Sequence, residues 1–442
     1  MTRKIFDIIG IGFGPANIAL AAAIEERGSG RSTLFLEKSG EPTWQPAMLL
    51  SGSDIQNNPL RDLVTPRNPR SRYSFTNFLH EHGRLFEYLN LGVEYPLRKE
   101  YAQYVIWVAR HFDRWVRYNC DVVDIRVASS DGSPTFVVTT ARGEVFVGRS
   151  LVAAPGRTPL IPPTFQDHVG DRLFHLTHYL PALERLERQG KPLRRACVVG
   201  GSQSAVELVL DLAARFPKME IVNVQRGFGF ALKDTSPFSD RVYFPEHVDY
   251  YFNASRESKN IIDAQLKRTN YSSADGDVIH KLYLTMYEQK LDANVKIRIV
   301  TNTRVNAVSM TSDQVTLSVD EIHGRQRAEI EADFIVLATG FRNLGDGAAE
   351  ERIPPLLLPL ADHILAGANG VIEVARDYRL GPARPDTILP PIYLNGLCET
   401  THGMGDAGSF SLLSLRADLI LRSLEEALDA IEPSLRSLLQ AS

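Results

Sequence analysis

The chain has 442 residues, of which 44% are hydrophobic and 23% charged, proportions typical of soluble globular proteins. That length allows two or three domains. The formal net charge of −4 provides no basic field, so the sequence argues against a nucleic-acid partner and against binding to an anionic membrane surface. We therefore expect a small-molecule partner.

The chain contains three widely spaced cysteines. Cys120, Cys197 and Cys398 show neither CxxC spacing nor a His-paired metal spacing, which argues against a disulfide framework and a zinc site. This pattern fits a reducing cytosol and predicts a cytoplasmic protein. The sequence has no stretch of 18 apolar residues and no apolar leader at its N-terminus, so it predicts neither export nor a membrane span.

A strand, a glycine-rich turn and a helix open the chain. Apolar residues 6–9 lead into Gly-Ile-Gly-Phe-Gly-Pro at 10–15, a helix is predicted over 17–26, and a second strand over 33–36 ends at Glu37. Glycines let the backbone approach a pyrophosphate at the helix N-terminus, and an acid suits the ribose hydroxyls. The early third glycine is a variant common in FAD sites. The predicted FAD contacts are Gly10, Gly12, Gly14, Pro15, Asn17 and Glu37.

Two further strands are predicted in the middle of the first half. Residues 136–140 and 144–147 flank Arg142-Gly143 and read as a hairpin. The apolar run at 151–154, followed by Pro155-Gly156, predicts a strand that returns toward the nucleotide. The same arrangement recurs at 334–338, before Thr339-Gly340.

The glycine turn occurs a second time in the chain. An apolar strand at 196–199 leads into Gly-Gly-Ser-Gln-Ser-Ala at 200–205, followed by a helix to about residue 214 and a strand at 221–224. Arg226 stands where NAD-binding folds usually carry an acid, and a guanidinium there would pair with the 2′-phosphate of NADPH. An arginine on a surface loop is the alternative. The predicted cofactor contacts in this half are Gly200, Ser202, Gln203, Ser204, Arg226, Thr339 and Gly340.

The doubled motif predicts the domain organisation. A chain that leaves one sheet, builds a second unit and returns is consistent with one domain inserted into another. We predict a discontinuous FAD-binding domain at 1–160 and 331–442, and an NADPH-binding domain at 161–330 in which polar residues 240–290 form a helical substrate-binding cap. The predicted fold class is α/β, with two Rossmann-like domains and a small helical substrate region.

The chain resembles the flavin-dependent N-hydroxylating monooxygenases, the ornithine and lysine N-monooxygenases of siderophore biosynthesis and their nitrosuccinate-forming aspartate relatives. The matching motifs lie at 10–17, 44–50, 60–63, 67–69, 71–75, 198–205, 269–272, 338–341 and 401–403. The resemblance implies FAD, NADPH and O₂ as cofactors and co-substrate, with NADP⁺ retained while a flavin C4a-hydroperoxide hydroxylates the amine. It also implies a homo-oligomer, either a dimer or a tetramer.

The resemblance also implies residue roles by matching position. Gln56 matches a glutamine beside the flavin, and Trp44 and Met48 match contacts to the flavin face, with core packing as the alternative for the last two. Asn270 matches an asparagine near the amino-acid substrate, with a turn former as the alternative. Gln56 and Asn270 are the predicted catalytic positions. Since an alkyl ammonium is mostly charged at neutral pH, the pocket must favour the neutral amine by desolvation.

Three departures from the family bear on the substrate. Where the family has a lysine for the α-carboxylate, this chain has Arg61, which keeps the charge but offers a planar fork. Where ornithine hydroxylases carry an asparagine, it has Asp240, which would repel a carboxylate unless Arg241 or a substrate ammonium neutralises it. The loop at 404–411 is about four residues longer, although loops tolerate insertion. The predicted substrate contacts are Arg61, Asp240, Arg241, Asn270, Ser409 and Ser411.

Several substrates and reactions stay open at this point. The departures favour a shorter or dicarboxylic amino acid such as aspartate, ornithine is the family default, and a diamine paired with Asp240 is a third possibility. A flavin disulfide or ferredoxin-type reductase shares the doubled fold, but no CxxC is present. A Baeyer–Villiger or sulfur-oxidising monooxygenase and a non-catalytic binding module are further alternatives.

Overall fold

The computed structural model describes residues 4–130, 133–324, 326–406 and 409–440. The strands are β1 (Ile5–Phe6), β2 (Ile8–Ile11), β3 (Thr33–Leu36), β4 (Val116–Arg117), β5 (Val122–Ser130), β6 (Ser133–Thr140), β7 (Val145–Gly148), β8 (Leu151–Ala153), β9 (Leu173–His175), β10 (Arg195–Val199), β11 (Glu220–Val224), β12 (Ile297–Val300), β13 (Thr303–Met310), β14 (Val315–Glu321), β15 (Arg327–Ala332), β16 (Phe334–Leu337) and β17 (Ile392–Leu394).

The α-helices are α1 (Pro15–Glu26), α2 (Phe75–Glu81), α3 (Leu85–Leu91), α4 (Arg98–Arg110), α5 (Pro163–Gln166), α6 (Tyr179–Arg188), α7 (Gln203–Arg215), α8 (Pro245–Phe252), α9 (Arg256–Leu266), α10 (Gly276–Leu291), α11 (Glu399–His402) and α12 (Leu413–Gln440). Short 3-10 helices lie at Pro46–Met48, Asp113–Trp115, Leu176–His178, Ser239–Tyr243, Lys267–Thr269 and Pro355–Leu360. No helix in these described ranges is long and apolar enough to cross a membrane.

The first sheet has five parallel strands in the order β17-β8-β2-β3-β4. Strands β2, β3, β8 and β17 are buried along their whole length, as expected for a parallel sheet covered on both faces. Helix α1 follows β2 directly and packs against α12. The predicted strand at 33–36 is confirmed, and the predicted helix begins two residues earlier because Pro15 suits the first helical position.

An antiparallel sheet extends the first unit, with the strand order β1-β7-β6-β5. Strands β6 and β7 pair antiparallel around a turn in which Gly143 adopts φ +78°, so the predicted hairpin is confirmed. Strand β5 pairs with β6 in the same sense, and β1 adds to β7 in parallel.

The second sheet also has five parallel strands, in the order β12-β11-β10-β16-β9. The predicted strands at 196–199 and 221–224 and the helix between them are confirmed as β10, β11 and α7. A three-stranded antiparallel sheet, β13-β14-β15, precedes β16 along the chain. Both parallel sheets therefore have a glycine turn at the carboxyl end of a central strand.

The domain boundary predicted at residue 330 lies too early. Strand β16 (Phe334–Leu337) pairs with β10 and β9, so the second sheet still includes residues that the prediction assigned to the first domain. The apolar run at 334–338 returns beside β10 to the glycine turn at Gly200, and the chain then rejoins the first sheet at β17, beside β8. The apolar sequence of a buried strand does not show which sheet the strand will join.

Residues 239–291 are mostly helical, as predicted for the segment 240–290. The 3-10 helix Ser239–Tyr243 is followed by α8, α9 and α10. Helix α8 packs against α11, which follows the first sheet, whereas α10 packs against α7 of the second sheet. The helical segment thus contacts both units.

Candidate active site

The first glycine turn leaves the N-terminus of α1 open. Gly12 has φ +81°, and a β-carbon added to it would lie 2.3 Å from the carbonyl oxygen of Ala154 on the returning strand. A β-carbon on Gly10 would lie 2.3 Å from the ring of Phe35. At Gly14, the N-cap residue, an added β-carbon would meet nothing within 4 Å, and no side chain caps the helix. The free N–H groups and the open space fit a bound pyrophosphate.

Two side chains hold this turn in place. Glu37 accepts hydrogen bonds from the N–H groups of Phe13 at 2.7 Å and Ser39 at 2.8 Å, each on a different carboxylate oxygen. Asn17 donates to the carbonyl oxygen of Gly12 at 2.7 Å. Each Glu37 oxygen keeps a lone pair for a ribose hydroxyl.

The second turn repeats the same geometry. Gly200 has φ +154°, and an added β-carbon would lie 2.4 Å from the carbonyl oxygen of Ala338. Ser202 is the N-cap of α7, but its hydroxyl makes no capping hydrogen bond. Ser204 is half-buried in the first turn of α7, and Arg226 is exposed just beyond β11. The two turns are thus built alike, each against a carbonyl of the strand that returns beside it.

The return turn after β16 is fixed to the segment that links the two sheets. Thr339 donates its hydroxyl to the carbonyl of Leu160, and the carbonyl of Gly340 accepts from the N–H of Leu160 at 3.0 Å. His175 Nε2 lies 3.0 Å from the same Gly340 oxygen. Burial lowers the pKa of His175 to about 4, so its ring is neutral at pH 7 and donates from Nε2.

A chain of hydrogen bonds connects Gln56 with Gln203 across the two units. Gln56, in the left-handed region with φ +52°, donates its side-chain amide to the carboxylate of Asp275. The N–H of Asp275 donates to Oε1 of Gln203 at 2.9 Å, and Nε2 of Gln203 donates to Glu207 at 3.1 Å. The residues predicted to contact flavin and NADPH therefore share Asp275 as a common partner.

Arg98 and Glu207 form a buried ion pair between the units. The guanidinium of Arg98 donates to both carboxylate oxygens of Glu207, at 2.9 and 3.0 Å. It also donates to the carbonyls of Met48 at 3.1 Å and Asp54 at 3.0 Å. Burial raises the pKa of the Asp54 carboxyl to about 6, and neighbouring carboxylates add to the effect. No sequence pattern predicted this pair.

The two residues predicted to contact the flavin face are packed into apolar surroundings. Met48 is 5% exposed and belongs to the hydrophobic cluster of the second unit, because its 3-10 helix packs against α6. The ring of Trp44 lies edge-on to Tyr101 and Phe410, with centroids 5.9 and 5.4 Å apart. Core packing therefore accounts for the contacts of both, and their flavin contacts stay predictions.

Arg61 and Asp240 lie on one side of the helical segment. The guanidinium of Arg61 lies 5.7 Å from the ring centre of Tyr243. Asp240 and Tyr243 are three residues apart on the same 3-10 helix, so their side chains eclipse. Burial raises the pKa of Asp240, an effect that the charges of Arg61 and Lys233 partly offset. These charged groups thus face a common region.

The other predicted substrate residues lie around this group with one exception. Ser411 receives a hydrogen bond from Ser409 at 3.0 Å and donates to Asn57 at 3.1 Å, and Asn57 in turn donates to the carbonyl of Arg61 at 2.8 Å. Asn270 is half-buried and follows Thr269, whose carbonyl accepts from the Tyr243 hydroxyl at 3.4 Å. The exception, Arg241, is exposed.

Glu399 is a buried carboxyl that the sequence interpretation missed. It is 8% exposed at the start of α11 and accepts a hydrogen bond from the hydroxyl of Tyr271, the neighbour of Asn270. The guanidinium of Arg157 lies 5.7 Å from the Tyr271 ring centre. Burial raises the pKa of Glu399 to about 7, against the lowering effects of Arg157 and Tyr271. Its position two residues before Thr401-His402-Gly403 was the available signal.

The raised pKa of Glu399 predicts a pH effect on stability. Its ordinary value is 4.5, so its contribution to folding is complete below pH 4.5 and is lost as the pH rises to about 7. Glu399→Gln, which can still accept from Tyr271, should therefore be more stable than the wild type above pH 7, by up to about 3 kcal/mol. Urea unfolding at pH 5 and pH 8 measures this.

Tyr271→Phe serves as the control for this effect, because it removes the hydrogen bond and keeps the carboxyl. It should lower stability, whereas Glu399→Gln should flatten the dependence of stability on pH. Equal pH dependence in wild type and Glu399→Gln would contradict the assignment.

Comparisons with known proteins identify the family. The family model described as L-lysine 6-monooxygenase/L-ornithine 5-monooxygenase matches residues 4–343. The L-ornithine N(5)-monooxygenase of Pseudomonas aeruginosa is 34% identical over 440 residues, which cover 97% of this chain and 95% of the relative. That of Burkholderia cepacia is 36% identical over 414 residues, covering 91% and 90%.

Solved structures give the same result. The ornithine hydroxylase of Pseudomonas aeruginosa matches with a TM-score of 0.86 and 33% identity, over 96% of this chain and 100% of that one. The ornithine N-hydroxylase of Kutzneria sp. 744, in complex with reduced FAD, NADP⁺ and L-ornithine, gives 0.87 and 31%, over 96% and 99%. The chain therefore belongs to the flavin-dependent N-hydroxylating monooxygenases, and it is an enzyme that hydroxylates an amine nitrogen.

Proposed function

We propose that this enzyme uses FAD, NADPH and O₂ to hydroxylate the primary amine of a small amino acid, with L-ornithine as the first candidate. The observation that carries the proposal is the pair of glycine turns without side-chain caps, at Gly12 and Gly200, together with the hydrogen bonds that link Gln56 through Asp275 to Gln203 at the second turn. When bound, the flavin reduced by NADPH supplies the activated oxygen. The protein then has to bind, orient and desolvate the amine.

Under this proposal, each glycine turn binds one of the two cofactors. FAD binds at residues 10–17 with Glu37 on its ribose, and NADPH binds at residues 200–204 with Arg226 on its 2′-phosphate. The NADPH unit extends to Leu337, the end of β16. We also propose a homo-oligomer in the cytoplasm, which size-exclusion chromatography and cell fractionation test.

The charges of Arg61 and Asp240 support an amino acid with a second amine. A planar guanidinium binds a carboxylate through two parallel hydrogen bonds, and Asp240 on the same side can accept from an α-ammonium. A substrate held by both α-groups presents its side-chain amine for reaction. Ornithine has such an amine. Aspartate has only the α-amine that Asp240 would hold.

Aspartate is the second candidate because the backbone packs tightly behind Asp240. We call the 3-10 helix that carries this residue, Ser239–Tyr243, the Asp240 wall. A β-carbon added to Gly405 would lie 2.4 Å from the carbonyl oxygen of Val242, so the backbone after Gly403 presses on the 3-10 helix. Such packing leaves less depth for a long side chain.

A substrate panel tests the proposal. The purified protein with FAD and NADPH is given ornithine, lysine, aspartate, putrescine and cadaverine, with a thioether and a ketone as controls. We expect NADPH oxidation to depend on ornithine and mass spectrometry to show one added oxygen on nitrogen. NADPH oxidation without an oxidised amine for every amine tried would refute the proposal.

Arg61→Ala should weaken binding of carboxylate-bearing substrates selectively. Loss of a charge-assisted contact of about 2–3 kcal/mol should raise the KM for ornithine by roughly 30- to 150-fold and leave that for putrescine nearly unchanged. Steady-state kinetics with both substrates measure the difference. Arg61→Lys should recover part of the loss, since it keeps the charge without the fork. Equal effects on both substrates would remove Arg61 from carboxylate binding.

Arg226→Ala should change the choice between NADPH and NADH. The guanidinium contact to a 2′-phosphate is worth about 1.5–3 kcal/mol, so the KM for NADPH should rise by roughly 10- to 150-fold while that for NADH stays constant. Stopped-flow flavin reduction with both nucleotides measures this. Lys218→Ala, an exposed cation of the same unit, is the control. A parallel rise for both nucleotides would argue against a phosphate contact.

A further inference from the structure

A buried polar network runs through the first unit and includes a charge on α12. Arg416 lies among the apolar residues of that helix and is 4% exposed. Each side chain of the network is at most 4% exposed: Asn17, Tyr378, Asn395, Asp406 and Arg416. Buried polar groups cost free energy unless they are hydrogen-bonded, so the partners of Arg416 indicate what the network does.

On one side, Arg416 connects to the glycine turn proposed to hold FAD. Its Nε donates to Oδ1 of Asn395 at 3.0 Å, and Nδ2 of Asn395 donates to Oδ1 of Asn17 at 3.1 Å. The amide of Asn17 then donates to the carbonyl of Gly12 at 2.7 Å. Three consecutive hydrogen bonds therefore join Arg416 to the turn.

On the other side, Arg416 connects to the Asp240 wall. Its Nη1 lies 2.9 Å from Oδ1 of Asp406 and also donates to the backbone carbonyl of that residue. The Tyr378 hydroxyl donates to the same Oδ1 at 2.9 Å. The neighbouring Gly405 packs closely against the 3-10 helix that carries Asp240, because a β-carbon added to Gly405 would lie 2.4 Å from the carbonyl oxygen of Val242. A shift of Asp406 would therefore be transmitted to that helix.

Stability alone does not account for this ion pair. Replacing a buried ion pair by apolar residues of similar volume is often neutral or stabilising, whereas removing one partner is costly. Oδ2 of Asp406 is moreover buried without a hydrogen-bond partner among the described residues. The pair therefore fixes a position at a cost in free energy.

We propose that Arg416 is a positioning residue that sets the distance between the FAD turn and the Asp240 wall, through Asn395 and Asn17 on one side and Asp406 on the other. This inference rests on the proposed function. It assigns to Arg416 no contact with substrate. It requires that flavin retention and amine binding change together when the pair is removed.

Three variants test the proposal in the holoenzyme. Arg416→Met leaves Asp406 buried and uncompensated, and should lower thermal stability and flavin content together. The double variant Arg416→Met/Asp406→Leu removes both charges of the pair, so its stability should return close to that of the wild type. Tyr378→Phe removes only one hydroxyl and should fold normally.

The decisive measurements are the rate of FAD release on dilution, followed by flavin fluorescence, and the KM for L-ornithine. In the double variant both should rise about tenfold, the effect of one lost hydrogen-bonded contact, with a smaller rise in Tyr378→Phe. Wild-type values in a stable double variant would overturn the proposal. If the double variant does not fold, wild-type values in Tyr378→Phe overturn it.

Failure of the proposed function is distinguishable from failure of this inference. A wild-type enzyme without turnover of any amine refutes the function, whereas FAD release reports on Arg416 without turnover. Faster FAD release with an unchanged KM for ornithine would refute the connection to the Asp240 wall.

Discussion

Gly12→Ala is expected to yield a protein that no longer retains FAD and is less stable by roughly 2–6 kcal/mol, the sum of the strain and overpacking costs. The φ of +81° disfavours any residue with a β-carbon, and that carbon would lie 2.3 Å from the carbonyl oxygen of Ala154. Because the clashing atom belongs to the backbone, no side-chain rotation can relieve the clash. The flavin-to-protein ratio from the absorption spectrum and the melting temperature measure the two effects.

Gly14→Ala and Gly200→Ala are matched controls. A β-carbon on Gly14 meets nothing within 4 Å, so this variant should fold normally and bind FAD less tightly, because the carbon would enter the space proposed for the pyrophosphate. Gly200→Ala repeats the clash in the second turn, at 2.4 Å from Ala338, and should weaken NADPH binding with FAD retained. Normal FAD content in Gly12→Ala would place the flavin elsewhere.

Short-range patterns predicted the two glycine turns. In each, an apolar strand, a glycine turn and a helix follow one another directly in sequence, and the observed elements β2, α1, β10 and α7 agree with that order. Such segments are specified by local backbone geometry, because glycine adopts a positive φ without steric cost and lacks the β-carbon that would prevent the close approach to the returning strand. The resemblance of the whole chain to a family supplied the rest.

Long-range pairing could not be predicted from the sequence. Arg98 and Glu207 are 109 residues apart, and neither stands out among the polar residues near it. The sheet that β16 joins is likewise decided by packing. Arg416 could have been noticed in the sequence. It lies between Leu413 and Ile420 at the spacing of the apolar face of a helix, where a buried charge requires a partner. The position of that partner depends on the fold.

Arg98→Met is expected to lower the free energy of unfolding by about 3–5 kcal/mol, because it leaves the Glu207 carboxylate buried without its counter-charge. The carbonyls of Met48 and Asp54 lose a donor at the same time. Since Gln56 follows Asp54 by two residues, turnover should fall together with stability. Urea unfolding of the FAD-saturated enzyme and steady-state kinetics measure these effects.

Glu207→Gln should lower the free energy of unfolding less than Arg98→Met does, because the two residues of the pair differ in the hydrogen-bond partners that remain. The guanidinium of Arg98 keeps the carbonyls of Met48 and Asp54 and the new amide oxygen. In Arg98→Met, the one side-chain partner that the carboxylate of Glu207 keeps among the described residues is the amide of Gln203. A double variant with methionine at both positions should recover most of the stability lost in Arg98→Met. If it also recovers turnover, the ion pair only holds the units together. If turnover stays low, Arg98 also orients the segment that carries Gln56.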